Sequence, residues 1–387
     1  WRLYGDHRLA PLRRSGTGAI TPITTWRLYA DPALAPLRRS VTPVVAAVVE
    51  YLRADSPHPI LELVGPEGSG KTAVAQAIKT AIDPFDGQAP SAGQEERDII
   101  AAVQGSHVVL FDNVTRPASG TEDLLCRIST GGAVTQRAYY TNADSLTLQI
   151  HAAQIRTALA PSLRQSDTQD RALIVHVKKP RAYRPEAEVR AEYADKLPEV
   201  LGGLLYLLHV SIRDRAAVAA QRAWKHRMVA WNQTGEAIGQ ALGHPAGYFV
   251  DLMSSKRQRA AEDYIEGDTF ARALVKALVG WAAEAQPAEK LPSYRHWQKV
   301  PGWCAVQIKG RVVVAATAQA ICSAVTRHCD DWTSRGTTLP GTARATTGAL
   351  QRVQGVLARA GIEAALQAIS GANNCAWVFL MPKSDGE

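Results

Sequence analysis

The chain has 387 residues, enough for two or three domains of ordinary size. With 46% hydrophobic and 21% charged residues it is globular in composition, which excludes a mostly disordered chain, a coiled-coil rod and a collagen-like repeat. The formal net charge is +8 and Arg outnumbers Lys by more than two to one, which favours a phosphate-bearing partner, because the guanidinium fork binds phosphate oxygens bidentately.

The opening WRLYGDHR has neither an initiator Met nor an apolar segment, so the numbering is expected to start inside a longer or processed product without a secretory signal. No apolar run is long enough to span a bilayer, and no membrane partner is expected. The five cysteines are odd in number and form no CxxC pair, which argues against a zinc site or a disulfide framework and fits a cytoplasmic protein. Trp1–Ser15 (WRLYGDHRLAPLRRS) recurs as Trp26–Ser40 (WRLYADPALAPLRRS), and residues 1–40 are read as an N-terminal appendage. Two copies are too few for a solenoid.

From 41 to 210 short apolar runs alternate with helical patterns. Val41–Leu52 and Val74–Ile82 are predicted helices; Ile60–Val64, His107–Phe111 and Ala172–Val177 are predicted strands. Buried runs between helices predict an α/β fold, a parallel sheet covered on both faces. Residues 211–267 are predicted helical and basic. Residues 268–387 are read as a C-terminal domain with an insertion near 285–310 that has no clear period. Its end reads as two helices, Thr317–His328 and Arg344–Ala360, followed by strand material at Ala376–Leu380, the order of a winged helix.

The strongest motif is Gly65-Pro66-Glu67-Gly68-Ser69-Gly70-Lys71-Thr72, a GxxxxGK[ST] loop between a predicted strand and a predicted helix. Its glycines expose backbone N–H groups to phosphates, Lys71 reaches the β/γ-phosphates, and Thr72 offers a hydroxyl to Mg²⁺. ATP and Mg²⁺ are the expected ligands. Forty residues on, the strand VVLF ends in Asp112, a second Mg²⁺-holding candidate. Asn113 follows it where many ATPases carry Glu, so either Glu122 or Asp123 supplies the catalytic base or hydrolysis is slow. In Cys126–Tyr140 (CRISTGGAVTQRAYY) the Gly-Gly pair predicts a hairpin carrying Arg137 and Tyr139 for nucleic-acid phosphate and base. Arg171, just before the strand ALIVHV, is the arginine-finger candidate.

Residues 45–265 resemble the superfamily-3-like AAA+ ATPases and helicases of phages and integrative mobile elements. The likeness lies in SHVVLFDN (Ser106–Asn113), DLLCRISTGGAVTQRAYYT (Asp123–Thr141) and DRALIVHV (Asp170–Val177), and extends to His226–Trp231 and Ala241–Phe249. Thr342–Leu380 is similar to that family's C-terminal winged helix. The resemblance implies a P-loop AAA+ core, a helical region and a winged helix, assembled as a ring-shaped homo-oligomer, a hexamer. It implies an ATP-dependent translocase with single-stranded DNA in the pore and duplex at the winged helix near Arg344 and Arg352. The family's polar sensor, usually Asn, is here matched in position by Thr157, with Asn142 as a second candidate. That departure and Asn113 favour the alternative of a DNA-binding initiator or scaffold that uses ATP chiefly to assemble. A P-loop small-molecule kinase is a third reading, and it leaves residues 211–382 without a purpose.

Overall fold

The structure, a computed structural model, describes residues 35–85, 95–115, 119–137, 145–163, 165–224, 227–292, 302–329, 339–368 and 375–382, with Ser91, Gly93 and Pro117. The first copy of the N-terminal repeat, Tyr139 and Asn142 lie outside the described residues. In chain order the N-terminal part runs α1 (Ala35–Tyr51), β1 (Ile60–Val64), α2 (Lys71–Ile82), α3 (Glu96–Gly105), β2 (Val108–Phe111) and α4 (Ser119–Thr130). It continues with β3 (Gly132–Arg137), β4 (Ser145–Ile150), β5 (Ala153–Ala158), the one-turn α5 (Ser166–Asp170) and β6 (Ala172–His176).

Four of these strands form a parallel sheet in the order β2-β5-β1-β6. Alternate residues feed two cores. Leu61, Leu63, Val108, Leu110 and Ile155 pack against α1, α2 and later helices, whereas Ile60, Val109, Phe111 and Ala158 pack against α3 and α4. A strand covered on both faces reads as an unbroken apolar run, which is why ILELV and VVLF are legible as strands. The expected three-layer α/β arrangement is therefore present. β3 and β4 pair with each other as a separate antiparallel hairpin.

Three long helices follow: α6 (Glu186–Ala220), α7 (Val229–Ala241) and α8 (Tyr248–Gly267). Trp231, Ile238, Phe249 and Met253 join the α1/α2 core. Gly235 lets α7 and α8 meet: a Cβ there would come within 2.3 Å of the fully buried Phe249 ring. Glu236, also buried, accepts hydrogen bonds from the N–H groups of Gly247 and Phe249 at the start of α8.

The C-terminal part comprises α9 (Thr269–Ala283), β7 (Gln286–Pro287), β8 (Trp303–Ile308), β9 (Arg311–Ala316), α10 (Ala318–Arg327), α11 (Ala343–Arg359), β10 (Glu363–Ala368) and β11 (Cys375–Leu380). Its sheet has the order β10-β11-β9-β8-β7, antiparallel except for β7 with β8. A separate core of Leu274, Leu278, Ile321, Leu350, Leu357, Trp377 and Phe379 joins this sheet to α9, α10 and α11. Asp268, Thr317 and Thr342 cap the three helices by accepting the N–H groups of Ala271, Ala320 and Ala345.

Three boundaries differ from expectation. The division at 210/211 falls inside α6, which starts directly after Pro185 with Glu186 and Glu188 in its first turn. The stretch near 285–310 supplies β7 and β8, so part of the expected insertion is sheet. Its hairpin turn is Lys309-Gly310, both at positive φ, the signature of a two-residue β-turn. Finally, Gly131 (φ 79) ends α4 in the left-handed conformation and Gly132 opens β3, so the Gly-Gly pair precedes the hairpin and is not its turn.

A candidate nucleotide site and the opposite sheet edge

The Gly65–Thr72 loop leaves the C-terminal end of β1 and runs into α2, whose first residue is Lys71. Gly68 (φ 72) and Gly70 (φ 81) take left-handed conformations. At Gly65 the constraint is space, because a Cβ would come within 2.2 Å of the Val177 carbonyl oxygen. Lys71 Nζ donates to the carbonyls of Gly65 (2.7 Å) and Pro66 (3.0 Å), which holds its ammonium inside the curl of the loop.

Asp112 follows β2 at the same edge. Its Oδ1 accepts from Thr72 Oγ1 at 2.9 Å and from Thr157 Oγ1 at 2.5 Å. Thr157 lies near the end of β5, opposite Leu63, so its strand sits between the one that bears the loop and the one that bears Asp112. Its hydroxyl also accepts the Asn113 N–H (2.8 Å). Asn113 is exposed, with φ 50, a conformation Asn tolerates better than most residues. The structure thus brings Lys71, Thr72, Asp112, Asn113 and Thr157 together.

Mg²⁺ is held through one or two protein oxygens together with substrate phosphates. The oxygen-only pair Thr72 and Asp112, beside a loop shaped for phosphates, fits that ion.

Neither base candidate is directed at this loop. Glu122 is buried on α4 and accepts the Gln165 N–H at 2.8 Å, while Asp123 lines a different cavity.

That cavity, of about 370 Å³, is lined by Asp123, Cys126, Arg127, Thr130, Asp167 and Arg171. Arg171 precedes β6, and its carbonyl accepts the N–H of Ile60, the first residue of β1. It therefore sits at the N-terminal edge of the sheet, whereas the phosphate loop leaves the C-terminal edge. At about 3.3 Å per residue the five-residue strand separates them by roughly 17 Å. Arg171 Nη1 pairs with Asp167 Oδ2 at 2.6 Å, and Arg227 pairs with the other oxygen of Asp167. The β3/β4 hairpin leads into β5 at this same edge. Arg137 closes its β3 arm, opposite Ser145.

Residues 37–244, more than half of the chain, match the family described as actinomycete integrative conjugative element replication protein. The chain belongs to that family. The match spans the loop, Asp112, Thr157 and Arg171, and it ends within the helices after the parallel sheet, leaving the C-terminal part outside. No curated protein matches this member of the family. Among solved structures, the SCCmec type IV Cch active helicase is 11% identical, covering 94% of this chain and 70% of its own, at a TM-score of 0.42. JCV helicase bound to a thiazolopyridine acetamide is 16% identical, covering 57% and 64%, at 0.27.

Several site features escape the sequence reading. Glu62 and Arg156, paired across β1 and β5, are both buried; Arg156 lies over the Phe111 ring, and Glu62 accepts from the Ser162 backbone N–H. Burial raises the Glu62 pKa and lowers that of Arg156. The signal was a charge at the centre of each of two buried strands, ILELV and AQIRTA. Tyr183 is another: a Cβ on Gly68 would lie 3.1 Å from its hydroxyl, so this largely exposed ring overhangs the phosphate loop. Arg344 and Arg352 are exposed on α11.

Proposed function

We propose that the chain is an ATP-dependent DNA translocase or helicase of element replication that works as a homo-oligomeric ring. The observation that carries this reading is the separation of two half-sites. Lys71, Thr72, Asp112 and Thr157 occupy one edge of the sheet and Arg171 the other, beyond reach of its own phosphate loop. Neighbours arranged head to tail unite the two halves. Arg171 then stabilises the charge developing on the γ-phosphate bound to the next subunit.

In this reading the Gly65–Thr72 amides and Lys71 bind the triphosphate, and Thr72 and Asp112 hold Mg²⁺, which neutralises phosphate charge when bound. Thr157 fixes the Asp112 carboxylate and stands where a polar sensor is expected. The β3/β4 hairpin, whose β3 arm ends at Arg137, meets single-stranded DNA, and Tyr139, outside the described residues, is the candidate base contact. The helix order α9, α10, α11 followed by the β10/β11 hairpin supports a winged helix, with Arg344 and Arg352 of α11 on duplex phosphates.

The test is a mixing experiment. Lys71→Ala and Arg171→Ala are each expected to be nearly inactive as ATPases. Mixed under conditions of subunit exchange, they regain turnover, because interfaces pairing an intact Lys71 with an intact Arg171 are whole. A flat response with exchange demonstrated independently overturns the shared site.

A second reading, an initiator or scaffold that binds ATP for assembly and hydrolyses it little, is favoured by one observation. Asn113 follows Asp112, while Glu122 is bonded to the Gln165 N–H and Asp123 lines the cavity of Arg171. Turnover that stays minimal with single-stranded and duplex DNA would select it.

A further inference from the structure

We propose that Arg359, at the C-terminal end of α11, is a positioning residue for Arg171, through which duplex bound at α11 controls ATP turnover. This rests on reading Arg171 as a finger and α11 as the duplex face. The argument starts from α5. Its five residues span only about 7.5 Å, so force applied at one end is felt at the other.

At the C-terminal end of α5, Arg359 Nη1 donates to Gln169 Oε1 at 3.0 Å, and its Nε lies 3.4 Å from Asp170 Oδ1. At the N-terminal end, Asp167 holds Arg171. Arg257 of α8 also lies in the field of Asp170 and Arg359; burial lowers its pKa, and its Nη1 is buried without a hydrogen-bond partner. The charge on Asp170 is therefore shared by two arginines from two helices, and removing Arg359 removes its bonds from α11 to Gln169 and Asp170 of α5.

The finger itself can move without the backbone moving. The Arg171 carbonyl is pinned by Ile60 N–H and its own N–H by the Thr168 carbonyl, so only the side chain swings. When it leaves Asp167, Arg227 remains on the other carboxylate oxygen, and the partly buried acid is never left unpaired. Asp167 is thus a counter-ion shared by Arg171 and Arg227, and release of the finger also breaks the bond from Arg171 Nη1 to the Asp167 carbonyl (2.9 Å).

Upstream, Arg352 and Arg359 are seven residues apart on one helix. That is two turns, about 10.5 Å, with both side chains on nearly the same stripe. A duplex that seats α11 through Arg344 and Arg352 therefore also sets Arg359, and with it α5 and the aim of Arg171.

The experiment uses the full chain and measures ATP turnover with and without a short duplex, the KM for ATP, and duplex affinity by fluorescence anisotropy. For Arg359→Ala the duplex-stimulated kcat is expected to fall about tenfold, towards that of Arg171→Ala, with KM and duplex Kd within twofold of wild type. The near-isosteric Asp170→Asn is expected to act in the same direction, and the charge-conserving Arg359→Lys is expected to keep most of the stimulation, because it leaves Asp170 in place for Arg257. A kcat unmoved by Arg359→Ala while Arg171→Ala is slow overturns the coupling and leaves the finger reading standing. Equal losses in Arg359→Lys and Arg359→Ala also overturn it, as does a wild-type turnover indifferent to duplex. Wild-type turnover in Arg171→Ala instead overturns the finger reading itself.

Discussion

Thr157 has a position no other side chain of the site shares. Its hydroxyl donates to Asp112 and accepts the Asn113 N–H, so it fixes both residues that follow β2. Thr157→Ala is expected to lower kcat by roughly tenfold, about the 1.4 kcal/mol of one well-made hydrogen bond, with little change in ATP affinity. Thr157→Ser should recover most of it; equal losses in steady-state kinetics for both variants would refute this role. A second residue-scale prediction concerns acid. His58 is buried and contacts the rings of Tyr51, His107 and His151, and desolvation with two neighbouring imidazoles pushes its pKa down to about 3. His151 is shifted in the same direction. Below about pH 6.5 the unfolded chain takes up protons that the folded chain refuses. Stability is therefore complete above that pH and declines as pH falls towards 3, His58 contributing at most about 1.4 kcal/mol per pH unit. Denaturant titrations from pH 7 to 4 should show this slope flattened in His58→Phe.

At the scale of elements, α7 and α8 are packed as closely as Gly235 allows. Gly235→Ala drives a methyl into the Phe249 ring and is expected to destabilise the chain by about 1–3 kcal/mol, read as a lower denaturation midpoint. α11 predicts something different. Replacing both Arg344 and Arg352 by Ala should reduce the slope of log K for duplex against log salt by about 1.8, at roughly 0.9 per phosphate contact. An unchanged slope would remove these arginines from the DNA face. The elements also mark what the sequence made legible. Ile60–Val64, the loop and Asp112 were readable because each is a local pattern whose spacing has one physical meaning. β8 and β9 were missed although WCAVQI and RVVVAA flank Lys309-Gly310 in hairpin fashion, because Pro and Trp upstream masked the alternation. A charge within each of two apolar strands marks Glu62 and Arg156 as candidates, but their pairing joins residues far apart in sequence, and no local pattern announces the pair of Asp170 with Arg359.

For the whole molecule, family membership rests on residues 37–244, the part that contains the Gly65–Thr72 loop, Asp112, Thr157 and Arg171. The C-terminal part lies beyond that match, yet its longest helix is fastened to the segment that carries Arg171. No helix among the described residues is long and apolar enough to cross a membrane. If the two half-sites unite only between neighbours, specific activity should rise with protein concentration until assembly is complete. Measured turnover per chain across a dilution series checks this, and a constant value down to concentrations where the chain is monomeric by light scattering would contradict it.

If neighbours share the site as proposed, the placement of Arg171 on the edge opposite its own loop has an arithmetic consequence. An open row of subunits always contains one catalytic unit fewer than it has chains, and a lone chain contains none. Only closure makes every chain count. Under that proposal turnover would depend on the protein's own abundance: below the assembly threshold few sites would be whole, and above it output would climb more steeply than dosage.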